Sequence, residues 1–114
     1  MTDKSDSGLQ QAYGFLKSAN PDKAKPILED VLSDDLENRE VLFALKCCNF
    51  WIQKMPGIQA VSNAFERGVQ LIEQWKSFTT CTASEGFDHE KTMYAVRKGV
   101  FSFALECFKA PQKD

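Results

Sequence analysis

Residues 20–45 constrain the fold more than any other stretch, because they read as a helix, a short polar turn and the start of another helix. Five apolar side chains recur at helical spacing and share one stripe of a 3.6-residue helix: Ala24, Ile27, Leu28, Val31 and Leu32. The turn DDLEN follows, and an apolar-rich segment begins directly after it. Two such helices must pack on each other and on neighbours, so the sequence predicts an all-α protein.

The same periodicity predicts five helices in one domain of about residues 8–110. We expect helices near residues 8–19, 21–33, 40–52, 58–78 and 88–108, with flexible ends at 1–7 and 111–114. Pro56 and Gly57 predict a break within residues 54–57, and the small polar residues of 79–87 predict a loop. Asp34, Asp35 and Asn38 are candidate caps for the third helix, and Asp88 for the fifth.

The last two helices carry more apolar residues than one buried stripe needs. In the fourth helix we expect a core stripe of Ile58, Val61, Phe65, Val69 and Ile72. In the fifth, one stripe contains Met93, Val96, Val100, Phe103 and Ala104, and a second contains Tyr94, Phe101, Leu105 and Phe108. Either the second stripe mediates self-association, or the chain is part of a longer array, or a compact bundle buries both stripes.

Composition and charge narrow the functional classes. A hydrophobic fraction of 43% is ordinary for a globular protein, and a net charge of −2 gives no positive field to attract nucleic acid. We expect no membrane span and no signal peptide, because the chain has no apolar run of the required length. Three of the four cysteines, Cys47, Cys48 and Cys107, lie in apolar helical contexts as free thiols, so we expect a reducing, cytoplasmic setting.

The helical hairpins resemble tetratricopeptide repeats, which have a period of about 34 residues. The match rests on Ala24, Leu28 and Val31, followed by LENREVLFAL at the family's inter-repeat turn, and it covers residues 8–78 as two degenerate repeats. Leu36 stands where the family has proline, and Lys46 where it has a small residue. The resemblance implies a five-helix antiparallel array with a right-handed superhelical twist.

The resemblance also implies a groove for a partner. In the family, the first helix of each repeat lines a concave surface that receives a peptide or a helix. The residues that map onto this side are Tyr13, Lys17, Phe43, Cys47, Phe50 and Trp51. We expect the aromatic side chains to supply apolar contact, and Lys17 and Lys54 to steer acidic groups. The alternative is that the fifth helix, or the curvature of the chain, covers this face.

No residue pattern indicates a catalytic, metal or cofactor site. Cys47 and Cys48 are adjacent, while Cys81, His89 and Cys107 are isolated, so the paired spacing of a zinc site is missing. The carboxylates of residues 29–40 are explained as caps and solvated surface, and no glycine-rich phosphate loop occurs. We therefore predict a protein that is not an enzyme and needs no cofactor.

The sequence leaves three functional interpretations. The first is a scaffold or adaptor that binds a protein or peptide partner in an apolar groove. The second is a small-molecule or lipid carrier with an aromatic pocket between its helices. The third is a structural homo-oligomer subunit that self-associates through the last helix.

Overall fold

The computed structural model describes residues 3–86 and 88–111 of the chain, and all regular structure within them is helical. The helices are α1 (Asp3–Lys17), α2 (Pro21–Asp34), α3 (Arg39–Gln59), α4 (Ala64–Gly86) and α5 (Glu90–Lys109). The predicted all-α class with five helices is confirmed. None of these helices is long and apolar enough to cross a bilayer.

The helices pack in a closed order. Each helix contacts the next along the chain, and α5 returns to pack against α1 and, more lightly, against α3. Consecutive helices run antiparallel, so α1 and α5, the first and last of five, run parallel to each other. The right-handed superhelical array implied by the resemblance is not confirmed, because an open array does not bring its last helix onto its first.

A single core lies between the helices. The predicted stripe of α2 is confirmed at Ala24, Leu28 and Val31, which are buried, and Leu9, Ala12 and Leu16 of α1 belong to the same core. The core continues through the inward face of α3 and the inward stripe of α5, with Val41, Ala44, Cys48, Met55, Ile58, Val96, Val100 and Ala104. Its largest fully buried side chain is Trp51.

The close approach of α5 to α1 depends on a glycine. A Cβ atom placed on Gly99 would lie 2.0 Å from the carbonyl oxygen of Leu16 and 3.1 Å from the backbone nitrogen of Ala19. Only a residue without a side chain allows the two backbones to come this close. Gly99 therefore marks the point at which the last helix closes the bundle.

The main-chain atoms that face Gly99 belong to the end of α1 and the turn that follows it. Ala19 N–H donates to Leu16 O at 3.0 Å, and Asn20 N–H donates to Phe15 O at 2.9 Å. This pair of bonds is the Schellman motif that satisfies the last carbonyls of a helix. The motif places Ala19 at a φ of 60°, a left-handed conformation that glycine adopts more readily.

The break between α3 and α4 lies later than predicted. Helix α3 continues through Pro56 and Gly57 to Gln59, although Pro56 has no N–H to donate to the carbonyl of Ile52. Helix α4 begins after Asn63, whose Oδ1 accepts from Glu66 N–H at 2.9 Å. The capping residue, rather than the proline, sets the boundary.

The predicted loop over residues 79–87 is wrong up to Gly86, because α4 runs through this stretch. Threonine hydroxyls bond back to helix carbonyls: Thr79 and Thr80 donate to Lys76 O, and buried Thr82 donates to Phe78 O at 2.9 Å. Lys46 of α3 also pairs with Glu85. The threonine hydroxyls thus find acceptors within the helix, and the Lys46–Glu85 pair connects this end of α4 to α3.

The helix caps agree in part with the predictions. Asn38 caps α3 as expected, with Oδ1 accepting from Val41 N–H at 3.1 Å. The residue before α5 is His89 rather than Asp88, and its side chain makes no capping bond. Residues 3–7, where we expected a flexible end, belong to α1; residues 1–2 and 112–114 lie outside the described part of the chain.

Candidate protein-binding surface

The seven residues predicted to bind a partner fall into two groups. Four of them are buried in the core: Tyr13, Phe43, Cys47 and Trp51. The others are more accessible, with Phe50 partly buried and Lys17 and Lys54 exposed. A partner can reach only the second group while the bundle stays closed.

The region around α5 closes the face on which Tyr13 and Phe43 lie. Tyr13 Oη donates to Glu40 Oε2 at 2.5 Å and is hydrogen-bonded to Thr92 Oγ1 of α5 at 2.7 Å. The Phe43 ring stacks on His89, with centroids 4.8 Å apart. We predicted an open groove along these side chains, and in this structure α5 and the residue before it cover them. This arrangement matches the alternative in which the fifth helix covers the face. Their role in partner binding stays a prediction, and their burial does not favour it.

Aromatic rings of α3 and α4 pack directly on one another at the centre of the bundle. The Trp51 centroid lies 5.2 Å from that of Phe50 and 5.5 Å from that of Phe78, and Trp75 lies 5.4 Å from Phe78. These separations are typical of packed aromatic pairs. Trp51 Nε1 is buried without an acceptor among the described residues. The cluster is packed core, so these rings do not form the open pocket of a carrier.

The two lysines predicted to steer a partner each lie over an aromatic ring. Lys17 Nζ is 5.6 Å from the centroid of Tyr94, and Lys54 Nζ is 5.6 Å from that of Phe50. Both distances allow cation–π attraction. Tyr94 belongs to the second stripe of α5, so Lys17 borders a surface outside the predicted groove.

That surface is the largest set of exposed apolar side chains on α4 and α5. Its members, with their exposed fractions, are Phe65 (50%), Tyr94 (47%), Phe101 (37%), Leu105 (52%) and Phe108 (38%). We call these five residues the outer face. The predicted second stripe of α5 is thus exposed in the monomer, which removes the alternative that a compact bundle buries both stripes.

The outer face is continuous across both helices. Phe65 of α4 packs edge-on against Phe108 of α5 at a centroid distance of 5.3 Å, and Trp75 lies 5.2 Å from Phe101. Phe108 also covers Gly68, where a Cβ would come within 2.7 Å of its ring. The small residue lets the Phe108 ring lie flat on α4, which gives a packing reason for a glycine inside a helix.

A shallow depression lies at the other end of the outer face. It has a volume of about 320 Å³ and is lined by Trp75, Glu90, Met93, Tyr94 and Arg97. Arg97 lies over the Tyr94 ring, 5.8 Å from its centroid. The lining thus combines two aromatic side chains, a methionine and two charged side chains. Such a combination is typical of sites that accept an apolar side chain from another protein.

Phe65, expected in the core stripe of α4, is 50% exposed, so that prediction is wrong. The buried residues of α4 are Gly68, Leu71, Phe78 and Thr82, so the inward stripe is rotated from the one expected. Part of the reason is the late start of α4, which excludes Ile58 and Val61 from the helix. The pattern Asn63-x-x-Glu66 is the local signal that could have located the start.

Three buried nucleophilic side chains, Cys47, Cys48 and Tyr13, have raised pKa values. Burial raises the pKa of the Cys48 thiol to about 12 and raises the pKa of Cys47 further, so neither forms a thiolate near neutral pH. Burial, together with the hydrogen bond to Glu40, also raises the pKa of Tyr13. Among the described residues, no three His, Cys, Asp or Glu side chains group closely enough to hold a metal ion.

Comparison of the chain with protein-family models, with curated proteins and with solved structures gives no match. The function is therefore inferred from the geometry of the surface described above.

Proposed function

We propose that the chain is a non-enzymatic protein–protein interaction module whose binding surface is the outer face of α4 and α5. The proposal keeps the scaffold function expected from the sequence and moves its contact surface. The groove along α3 is closed, whereas Phe101, Leu105 and Phe108 are accessible without any change in the bundle.

The observation that carries the proposal is the exposed apolar area. A side chain of this size has about 200 Å² of surface. With the exposed fractions given above, the five residues of the outer face leave about 450 Å² of apolar side chain in contact with water. The largest patch on a typical monomer is about 300–600 Å² and is often functional. The outer face is of this size and lies on two adjacent helices.

The chemistry of the surface also supports a protein partner. Aromatic residues and arginine are enriched at protein interfaces and dominate their energetics. The outer face has four aromatic side chains, and Arg97 and Lys17 flank one of them, Tyr94. These two cations would meet acidic or backbone oxygen atoms of a partner at the edge of an apolar contact.

Binding, rather than a reaction, fits the state of the nucleophiles. Cys47 and Cys48 are buried with raised pKa values, and the phenol of Tyr13 is held in a hydrogen-bonded network. Buried free thiols are also typical of proteins in a reducing compartment, which supports a cytoplasmic setting.

A matched pair of substitutions tests the proposal. Leu105 lies on the outer face and is 52% exposed, whereas Leu42 lies on α3, away from that face, and is 45% exposed. Wild-type protein, Leu105→Glu and Leu42→Glu would each serve as bait for proteins of the source cell, including untagged copies of the chain itself. Their melting temperatures would be compared first, to establish that all three are equally folded.

The expected result is that wild type and Leu42→Glu retain the same proteins and that Leu105→Glu loses them. Retention of the same set by Leu105→Glu, or loss of the set by Leu42→Glu, would show that binding does not use the outer face. Capture of no protein by any bait would also count against the proposal.

A further inference from the structure

We infer that the partner of the outer face is a second copy of this chain, bound antiparallel across a two-fold axis near Phe101. This inference rests on the proposed function, and it names the partner. It depends on three features of the surface: the two halves are complementary in shape, an acidic and a basic side chain can pair across the axis, and the area matches a standard interface.

Shape is the first feature. The projecting side chains, Leu105, Phe108 and Phe65, lie at the C-terminal end of α5, and the depression bounded by Tyr94 and Trp75 lies toward its N-terminal end. The helix rises 1.5 Å per residue, so Leu105 and Phe108 lie roughly 6–10 Å from Phe101 toward the C-terminus of α5. Arg97 and Tyr94, which line the depression, lie roughly 6–10 Å from Phe101 in the opposite direction. A two-fold axis at Phe101 therefore brings the projections of each copy onto the depression of the other.

Charge is the second feature. Glu90 lines the depression, and Lys109 follows Phe108 in the last turn of α5. The two residues are about 28 Å apart along one helix, so they cannot pair within a monomer. With the axis near Phe101, Glu90 lies about 16 Å from it and Lys109 about 12 Å from it on the other side, so Glu90 of one copy comes within side-chain reach of Lys109 of the other, twice by symmetry. A parallel arrangement would place like charges opposite each other.

Area is the third feature. A stable interface buries about 800 Å² per partner, of which about 56–65% is apolar, or roughly 450–520 Å². The outer face presents about 450 Å². One copy therefore supplies the apolar core of a standard interface, and residues such as Arg97 and Lys109 supply part of its rim. Self-complementarity of this kind is the property that an isologous dimer requires.

Sedimentation and light scattering of the purified full chain measure the inference directly. The monomer has a mass of 12.9 kDa, so the dimer is expected at about twice that value, or about 26 kDa, at protein concentrations up to about 0.1 mM. Leu105→Glu is expected to weaken association by more than about 30-fold, the effect of losing a central interface side chain, and Leu42→Glu to leave it unchanged.

A charge exchange tests the antiparallel register. Glu90→Lys and Lys109→Glu are each expected to weaken the dimer by about two- to tenfold, and the double variant is expected to restore it. Each change also places a charge that is unfavourable to the dipole of α5. If the two residues only stabilised the helix, the double variant would be the least stable of the three and would associate most weakly. Circular dichroism and melting temperature separate this structural effect from association.

Each outcome has a distinct meaning. A wild-type chain that stays monomeric at 0.1 mM overturns the inference, as does a dimer that survives Leu105→Glu. Failure of the double charge variant to recover association overturns the antiparallel register. If the chain is monomeric and still captures another protein in a Leu105-dependent way, the inference fails while the proposed function stands; if it is monomeric and captures nothing, both fail.

Discussion

Substitution of Gly99 by alanine should destabilise the protein, although the same change inside an exposed helix normally stabilises it. The new Cβ would lie 2.0 Å from the carbonyl oxygen of Leu16. The obstructing atom belongs to the backbone at the end of α1, so no rotation of a side chain relieves the contact. Helix α5 must move away from α1, which loosens the packing around Val96 and Val100.

The two opposing effects can be estimated separately. Overpacking costs about 1–3 kcal/mol, and a contact with backbone belongs at the upper end of that range. Replacing glycine by alanine in a helix contributes about 1 kcal/mol of stability. The expected net loss for Gly99→Ala is therefore about 2 kcal/mol, which corresponds to a melting temperature about 8 °C lower in a domain of this size.

Gly14→Ala is the matched control. Gly14 is exposed in α1, and a Cβ placed on it would have no atom within 4 Å. We expect this variant to gain about 1 kcal/mol. Urea denaturation of wild type and both variants gives the free energies of unfolding, with equal m-values as evidence that the transitions are comparable.

The sign of the change in Gly99→Ala decides between two arrangements. If α5 did not pack against α1, as in an open array of hairpins, Gly99 would behave like Gly14 and alanine would stabilise the protein. A gain of about 1 kcal/mol in both variants would therefore refute the closed bundle.

Two further predictions concern the turn after α1 and the buried phenol. Ala19→Gly should raise the free energy of unfolding by about 0.5–1 kcal/mol, because Ala19 has a φ of 60° and glycine adopts this conformation without strain; urea denaturation that shows a loss would contradict this explanation. Tyr13→Phe should lower stability by about 1–2 kcal/mol at pH 7, because it removes the hydrogen bonds to Glu40 and Thr92. The raised pKa of Tyr13 means that its neutral form stabilises the fold below about pH 10 and that this contribution is lost as the pH rises further. The free energy of unfolding, measured by denaturation at pH 7 and above pH 10, should therefore fall less with rising pH in Tyr13→Phe than in wild type. An equal fall in both proteins would argue against a buried phenol.

The helices that were predicted well are those defined by local sequence. The stripe of α2 and the capping side chain of Asn38 act within one or two turns, so their pattern is sufficient to place them. The boundary between α3 and α4 was misplaced because Pro56 and Gly57 were given more weight than the cap at Asn63. Pro56 removes one backbone hydrogen bond, and α3 continues past it with Met55 and Ile58 buried in the core, whereas Asn63 satisfies a backbone donor at the start of α4.

The binding surface could be predicted only in part. The second stripe of α5, with Phe101 and Leu105, was identified as excess apolar surface because it depends only on helical periodicity. The burial of Phe43 and Trp51 depends on where α4 and α5 return in space, and no local pattern encodes that. Gly99, the residue that permits the return, is indistinguishable in sequence from any other helical glycine.

Site-specific photo-crosslinking would show whether two copies of the chain meet at the outer face of α4 and α5. A benzophenone side chain would replace Leu105 in one variant and Leu42 in another, two positions of similar exposure. An adduct of two chains is expected from position 105 only, with the modified peptide containing Trp75 or Tyr94. Equal adduct from position 42, or none from position 105, would contradict the proposed dimer.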